Sequence, residues 1–335
     1  MTTKEGVLSI LQNNTSNFIS GQELAGKLYV TRASVWKAIK SLQAEGYHID
    51  AVTNKGYRLC PAFDPVNTDE ISKEINTKGK NINVYYLDEV DSTNDHVRLL
   101  EVKTHEDTLL IAGCQTKGRG RRGRDFFSPK DTGLYMSLLI HTDKTTNNIP
   151  HTTSVAATSV AKAIDNIIFK GKDVTKIKWV NDVYIKGLKI AGILCESFSF
   201  MEDEDASYII IGIGINIFTP SDGFPKEIKK TAGAIINNTK NDKVQDLESI
   251  RGKLAASICN NLFYYKDKQE DCLAIYRAKS NLIGNYVKIN NFKDKKPAKN
   301  YSKVIEIDNE YRLVIEDDHG NRQALSSGEV SVVKY

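Results

Sequence analysis

Apolar positions recur at helical spacing three times within the first 45 residues. Val7, Leu8, Ile10 and Leu11 form one stripe over residues 4–13, the period expected of an amphipathic helix. Ser20-Gly21-Gln22-Glu23 reads as a capping box, with Ser20 as N-cap and Glu23 three positions on, opening a second helix that runs to about Leu28. Thr31 caps a third helix, in which Val35, Ile39 and Leu42 turn inward and Gly46 suits the stop. From Tyr47 to Leu59 the period changes to alternation, with Asn54-Lys55-Gly56 as the turn of a two-stranded ribbon. Three helices and a ribbon, in that order, predict a winged helix-turn-helix over residues 1–62. Pro61, Pro65 and the polar run to Asn67 then make a linker.

Beyond the linker, apolar runs predict strands at Ile82–Leu87, Thr108–Gln115, Leu134–Ile140, Lys176–Val180, Ile190–Phe198 and Tyr208–Ile215. Helical stripes appear at His151–Phe169 and Asp246–Tyr265. Successive strands outnumber crossover helices, so an α+β domain with one mainly antiparallel sheet is expected over residues 67–280. From about Asn281 the chain breaks into short strands joined by Asp, Asn and Gly turns: Tyr286–Ile289, Val304–Ile307, Tyr311–Ile315, Gln323–Leu325 and Val330–Val333. That pattern predicts a small β-barrel over residues 281–335.

Composition narrows the functional classes. At 335 residues, 40% hydrophobic and 26% charged, the chain is ordinary globular protein with room for two or three domains. Its longest apolar run, Tyr208–Phe218, is broken by two glycines and Asn216 and is too short to span a bilayer. Met1–Leu11 lacks signal-peptide organisation, so no membrane association and a cytoplasmic location are expected. The five cysteines are scattered without a C-x-x-C, and the six histidines lack ligand spacing. Neither disulfides nor a protein-only metal site is expected.

The net charge of +4 says little, but its distribution says more. Residues 1–60 carry seven cations (Lys4, Lys27, Arg32, Lys37, Lys40, Lys55, Arg58) against four acids (Glu5, Glu23, Glu45, Asp50), an excess of +3. With the third helix facing its apolar side inward, Arg32, Lys37 and Lys40 point out, and Thr31 and Ser34 lie near its N-terminal end. Such a face suits a DNA major groove, with Lys55 and Arg58 adding backbone contacts from the ribbon. The alternative is a solvated face that binds another protein.

Three polar clusters stand apart from this plan. Lys117-Gly118-Arg119-Gly120-Arg121-Arg122-Gly123-Arg124 packs five cations into a glycine-broken loop, where exposed N–H groups and guanidinium forks can hold an anion. Its G-x-G-x-x-G match is not a dinucleotide fingerprint, because a strand rather than a helix follows. The competing readings are a solvated basic hairpin tip and a stretch of nucleic-acid-binding charge. Lys178-Trp179-Val180-Asn181-Asp182 is the second cluster; it precedes Lys189, a cation opening an otherwise apolar strand. That lysine either meets an anion or snorkels to solvent. The third, Asp91-Ser92-Thr93-Asn94, offers hydroxyl and amide groups to a polar ligand, or is simply a helix cap.

Together with Gln115, Lys189-Ile190-Ala191-Gly192-Ile193-Leu194 and Gly212-Ile213-Gly214-Ile215-Asn216, these clusters resemble the biotin protein ligase family, in its bifunctional branch that also represses transcription. The motifs occur in the family's order and the resemblance covers nearly the whole chain. It implies a class II synthetase-like central domain and an SH3-like terminal barrel. It implies two steps: biotin and ATP give biotinyl-5′-AMP, and a lysine of a biotin carboxyl carrier protein, a domain of acetyl-CoA carboxylase or pyruvate carboxylase, then takes the biotin. By matching motif, Ser92, Thr93, Asn94, Gln115, Arg119, Gly120, Arg121, Lys189 and Gly192 would hold biotin. Arg121, Arg122, Arg124, Phe126, Lys178, Asn181, Asp182 and Asn216 would hold ATP or adenylate, with Mg²⁺. Lys189 and Arg121 would carry the chemistry. Phe126 stands where the family often has tryptophan, and Val180 where it usually has proline. The resemblance also implies a homodimer that binds operator DNA with biotinyl-AMP as corepressor. Two rival readings are a ligand-sensing repressor without catalysis and a lipoate-type acyl-adenylate ligase.

Overall fold

The computed structural model describes residues 2–12, 14, 18–44, 49–52, 55–59, 66–76, 81–104, 106–143, 148–199, 206–236, 249–289, 301–326, 328 and 330–332. Contacts gather Met1–Pro65 into one compact unit and Val66–Ile235 with Ile250–Tyr335 into another.

The first unit follows the N-terminal pattern closely. It consists of α1 (Thr3–Gln12), α2 (Gly21–Leu28), α3 (Arg32–Ala44), β1 (Ile49–Val52) and β2 (Gly56–Leu59). Ser20 Oγ accepts the Glu23 N–H at 3.1 Å, and Thr31 Oγ1 accepts that of Ser34 at 3.1 Å, so both expected caps satisfy helix-end donors. The Glu23 carboxylate pairs with Lys27 at 2.8 Å. Val7, Leu11, Leu24, Val35, Ile39 and Leu42 are buried together with Ile49 and Leu59. Strands β1 and β2 pair antiparallel, Ile49 opposite Leu59. Gly46, Asn54, Pro61 and Pro65 lie outside the described residues.

In the second unit the chain runs α4 (Thr68–Glu74), β3 (Asn83–Val90), α5 (Thr93–Thr104), β4 (Thr108–Gln115), β5 (Gly133–Asp143), α6 (Ile149–Ile167), β6 (Lys176–Lys178), β7 (Asp182–Ile185), β8 (Leu188–Ser199), β9 (Ala206–Asn216), α7 (Ile250–Asp267) and α8 (Gln269–Lys279). The strands form one mixed sheet in the order β3-β4-β5-β9-β8-β7-β6. Only β3 and β4 run parallel; the other pairs are antiparallel. Val97 of α5 packs on Leu110, Leu139, Tyr208 and Ile210 on one side of the sheet. Helix α6 buries Val155, Val160, Ala163 and Ile164, and it packs against α7.

The last five strands, β10 (Tyr286–Ile289), β11 (Ser302–Ile307), β12 (Leu313–Glu316), β13 (Arg322–Leu325) and β14 (Val330–Val332), form an antiparallel sheet in the order β13-β12-β11-β10-β14. This sheet is stitched to the rest of its unit. Trp179 Nε1 donates to Tyr311 O at 2.8 Å, and Arg277 Nε donates to Ile307 O at 2.6 Å.

Several elements differ from the sequence pattern. Strand β6 stops at Lys178 and turns into β7, which has no alternation to announce it. Helices α4 and α8 are likewise unannounced. The expected helix start at Asp246 falls outside the described residues, and described helix begins at Ile250. Among the described residues no helix is long and apolar enough to cross a membrane.

Candidate active site

The loop Lys117–Arg124 leaves β4 and closes on itself before β5. Gly120 N donates to Arg124 O at 2.6 Å and Phe126 N to Gly118 O at 2.8 Å, while Arg121–Gly123 form a single 3-10 turn. Its stem is held by Asp91, which accepts from Lys117 Nζ at 2.9 Å and Thr116 Oγ1 at 3.0 Å. Those hydrogen bonds, first that of Lys117, hold the Asp91 carboxyl below the usual carboxylate range.

Two glycines of β9 explain how side chains lie flat on the sheet beneath this loop. A Cβ on Gly214 would stand 2.4 Å from the Phe126 ring, and one on Gly212 would stand 2.1 Å from Asn94 Oδ1. Gly192 of β8 pairs with Gly214, so the floor under Phe126 is bare backbone.

Over that floor lies a cavity of about 40 Å³. One end is polar: Ser92, Thr93, Asn94 and Gln115 carry no charge, and Arg119 beside them is paired with Asp95 and Glu196. Ile193, Leu194 and Ile213 line its middle, and Gly120, Arg121, Asn181 and Lys189 the other end. A second cavity of about 370 Å³ shares Gly120, Arg121, Phe126, Asn181 and Lys189 with the first, and adds Arg124, Lys178, Trp179, Asp182 and Asn216. The guanidinium loop and the strand-end lysine therefore meet where the two cavities adjoin.

Most polar groups here are oriented by partners. Gln115 Oε1 accepts from Thr93 N at 2.9 Å and Thr93 Oγ1 at 3.1 Å, and Gln115 Nε2 donates to Ser128 Oγ at 2.9 Å. Ser137 Oγ lies 2.6 Å from Asn94 Oδ1 and 2.7 Å from Thr93 Oγ1. Arg121 Nη1 donates to Asn181 Oδ1 at 2.9 Å, and Asn181 Nδ2 donates to Ile193 O at 3.1 Å. Lys189 Nζ meets Asp182 Oδ1 at 2.7 Å, so this lysine is engaged in the site rather than snorkelling. Arg119 spans two carboxylates, Asp95 at 2.8 Å and Glu196 at 2.8 Å.

One expected position departs from the pattern. Arg122, placed with the nucleotide by its motif, has φ +60° and lines a further recess with Arg121, Ile149, Pro150, Thr153 and Cys195. The left-handed residue turns its side chain out of the row formed by its neighbours. Burial pushes the Cys195 thiol up to about 12, which disfavours the thiolate. Four residues that support the site escaped the sequence reading: Asp95, Ser128, Ser137 and Glu196. Glu196 carried a signal, because like Lys189 it is a charge within an apolar strand.

A polar end, an apolar middle and a cationic end suit a ligand with an uncharged hydrogen-bonding head, an apolar chain and an acid. The second cavity, with its own cations, suits a larger anion brought against that acid.

In the first unit, Arg32, Lys37 and Lys40 are exposed on α3, and Lys55 is exposed on the ribbon. Trp36 shares that face of α3 and is 53% exposed. Arg58 is engaged within the unit: it pairs with Asp50 at 2.7 Å and lies 4.6 Å over the Phe18 ring.

Residues 86–216 match the model of the Biotin/lipoate A/B protein ligase family, and residues 4–58 match an HTH domain. A protein of Bacillus spizizenii named bifunctional ligase/repressor BirA is 35% identical over 235 residues, which are 70% of this chain and 71% of that protein. The chain belongs to the biotin/lipoate protein ligase family. Its relative of the same name in Escherichia coli is 32% identical over 213 residues, 63% of this chain and 62% of that protein. A biotin protein ligase from Aquifex aeolicus, solved in complex with biotin and ATP, superposes with a TM-score of 0.60 at 29% identity, covering 76% of this chain and 99% of the other. The family match, residues 86–216, contains every residue lining the smaller cavity.

Proposed function

We propose that this chain is a bifunctional biotin ligase and repressor: it forms biotinyl-5′-AMP from biotin and ATP, passes the biotin to a lysine of a carrier protein, and represses biotin genes when the adenylate is bound. The observation that carries this reading is the pair of adjoining cavities sharing Arg121 and Lys189. Biotin's uncharged ring system suits the end formed by Ser92, Thr93, Asn94 and Gln115, its chain the apolar middle, and its carboxylate the cationic end near Gly120 and Gly192. ATP suits the larger cavity, with Arg121, Arg124, Phe126, Lys178, Asn181, Asp182 and Asn216 about it.

In the first step a carboxylate oxygen of biotin attacks the α-phosphorus of ATP; that P–O bond forms as the bond to the β-phosphate oxygen breaks, and pyrophosphate leaves. Two anions must approach, so the work of Lys189 and Arg121 is to offset charge and hold the reacting atoms in line. Lys189 exchanges Asp182 for the incoming anion. In the second step a neutral carrier lysine attacks the acyl carbon, AMP departs with the carboxyl oxygen, and the amine loses a proton. The residues fit Mg²⁺, which keeps several waters and is held by one or two carboxylates plus substrate phosphates: Asp182 is a carboxylate in the wall of the larger cavity, and with Asn181 it would hold the ion. Bound there, Mg²⁺ would neutralise phosphate charge.

Residues 1–62 serve as the winged DNA-binding domain, 67–280 as the class II synthetase-like catalytic domain and 281–335 as an SH3-like barrel. Arg32, Lys37, Lys40 and Trp36, with Thr31 and Ser34, form the operator-facing side of α3, and Lys55 adds a backbone contact. A two-fold operator needs a homodimer, and the adenylate must favour that state by binding it more tightly. The setting is the cytoplasm.

Incubation with biotin, ATP, Mg²⁺ and a biotin carboxyl carrier domain is expected to add one biotin to a single lysine of that domain, read by intact mass. An unmodified carrier would overturn the ligase half. Gel shifts on upstream biotin-gene DNA, with and without biotin and ATP, test the repressor half, and adenylate-independent or absent binding would overturn it.

A further inference from the structure

We propose that Glu196, which no motif assigns and which does not line the smaller cavity, is a positioning and specificity residue for the polar head of the ligand. Its carboxylate takes both arms of Arg119, Nη1 at 3.2 Å and Nη2 at 2.8 Å, and the Asn94 Nδ2 at 2.7 Å. Arg119 reaches on to Asp95 at 2.8 Å. One carboxylate on β8 thus ties the arginine loop, through a two-pronged charge-assisted contact, to the sheet and to the start of α5.

Two consequences follow. A carboxylate only accepts hydrogen bonds, so Glu196 fixes which way the Asn94 amide faces: Nδ2 toward β8, where it also reaches Leu194 O at 3.4 Å, and Oδ1 over Gly212, where it accepts from Ser137 Oγ at 2.6 Å. Second, Arg119, which lines the smaller cavity, faces two carboxylates and so straps the loop. The Arg119, Asp95 and Glu196 charges sum to −1, which disfavours a ligand acid at that end. The polarity of the cavity, and with it the direction of ligand entry, is set from behind its wall.

The inference rests on the ligase reading for its kinetic arm but not for its structural arm. Glu196→Gln keeps the shape while removing the charge and allowing the amide to flip. In the absence of ligand, trypsin should cut within Lys117–Arg124 roughly 1.5- to fivefold faster than in wild type, the range of one partly exposed ion pair. Added salt should speed cutting of wild type more than of the variant, which keeps the Arg119–Asp95 pair. In the pyrophosphate-exchange assay the KM for biotin should rise by a similar factor with kcat within twofold. Asp95→Asn, which removes one arm of the strap, should move the proteolysis rate in the same direction and carries the test if the glutamine variant fails to fold. Proteolysis unchanged in the folded variant overturns the strap. A fall in kcat at constant KM overturns the positioning role. A wild type without biotin-dependent exchange rejects the ligase reading while leaving the proteolysis arm to judge the strap.

Discussion

Gly214 shows how much of this site depends on an atom that is missing. The Phe126 ring occupies the space of a Cβ at that position, 2.4 Å from its edge. Gly214→Ala is expected to push the ring off β9, costing roughly 1–3 kcal/mol of stability and weakening nucleotide binding more than biotin binding, measured as separate KM values. Equal effects on the two substrates would contradict the placement of Phe126 toward ATP. Arg121, which faces both cavities, is the residue expected to retain the reactive adenylate. Losing a charged contact of about 1.5–3 kcal/mol, Arg121→Gly should release adenylate roughly tenfold to a hundredfold faster and label lysines of bystander proteins; unchanged release would reject that role. At this scale the sequence was informative where chemistry and spacing coincide: Ser92, Thr93, Asn94, Gln115, Arg121 and Lys189 could all be named, and they line one cavity. Ser137 and Ser128 could not, since a lone serine on a strand or in a turn reads as filler until its partner is known. The left-handed backbone of Arg122 was not legible, because a cation in a row of cations gives no hint of it.

Among the elements, α8 matters through one buried cation. Lys279 is 5% exposed and donates to Asp165 Oδ2 at 2.5 Å and Thr175 Oγ1 at 3.3 Å, with Asp173 as a further partner. It thereby clamps α6, α8 and the segment leading into β6, the strand that delivers Lys178. Lys279→Met leaves the buried Asp165 without its cation and is expected to cost about 3 kcal/mol, read by denaturant unfolding at neutral pH; a change below about 1 kcal/mol would show the clamp idle. The hydrogen bond from Lys279, its largest favourable influence, lowers the Asp173 pKa below 3.8. A depressed carboxylate contributes stability that is complete above its unfolded pKa and fades as pH falls through the folded value. Wild type should therefore lose this contribution only below about pH 4, and Lys279→Met should flatten that part of the curve. Strong periodicity made the helices of the first unit and the long strands β4, β5, β8 and β9 legible. Strand β7 and helices α4 and α8 were not, because they are short or carry mixed faces whose burial comes from tertiary packing rather than from their own pattern.

For the whole molecule, an HTH unit and a ligase unit in one chain make sense if one small molecule is both reaction intermediate and signal. Motif order made the pairing legible; the adjoining of two cavities was not, since residues 121, 181 and 189 reach one place only through the order of β8 and β9 in the sheet. At this scale the shared cationic end brings a vitamin's acid to a nucleotide. The decisive measurement is biotin-dependent exchange of labelled pyrophosphate into ATP. Exchange is expected with biotin, none with lipoate, and a loss of at least roughly a hundredfold in Lys189→Met; no exchange with biotin, or exchange undiminished in Lys189→Met, would refute this role of the site.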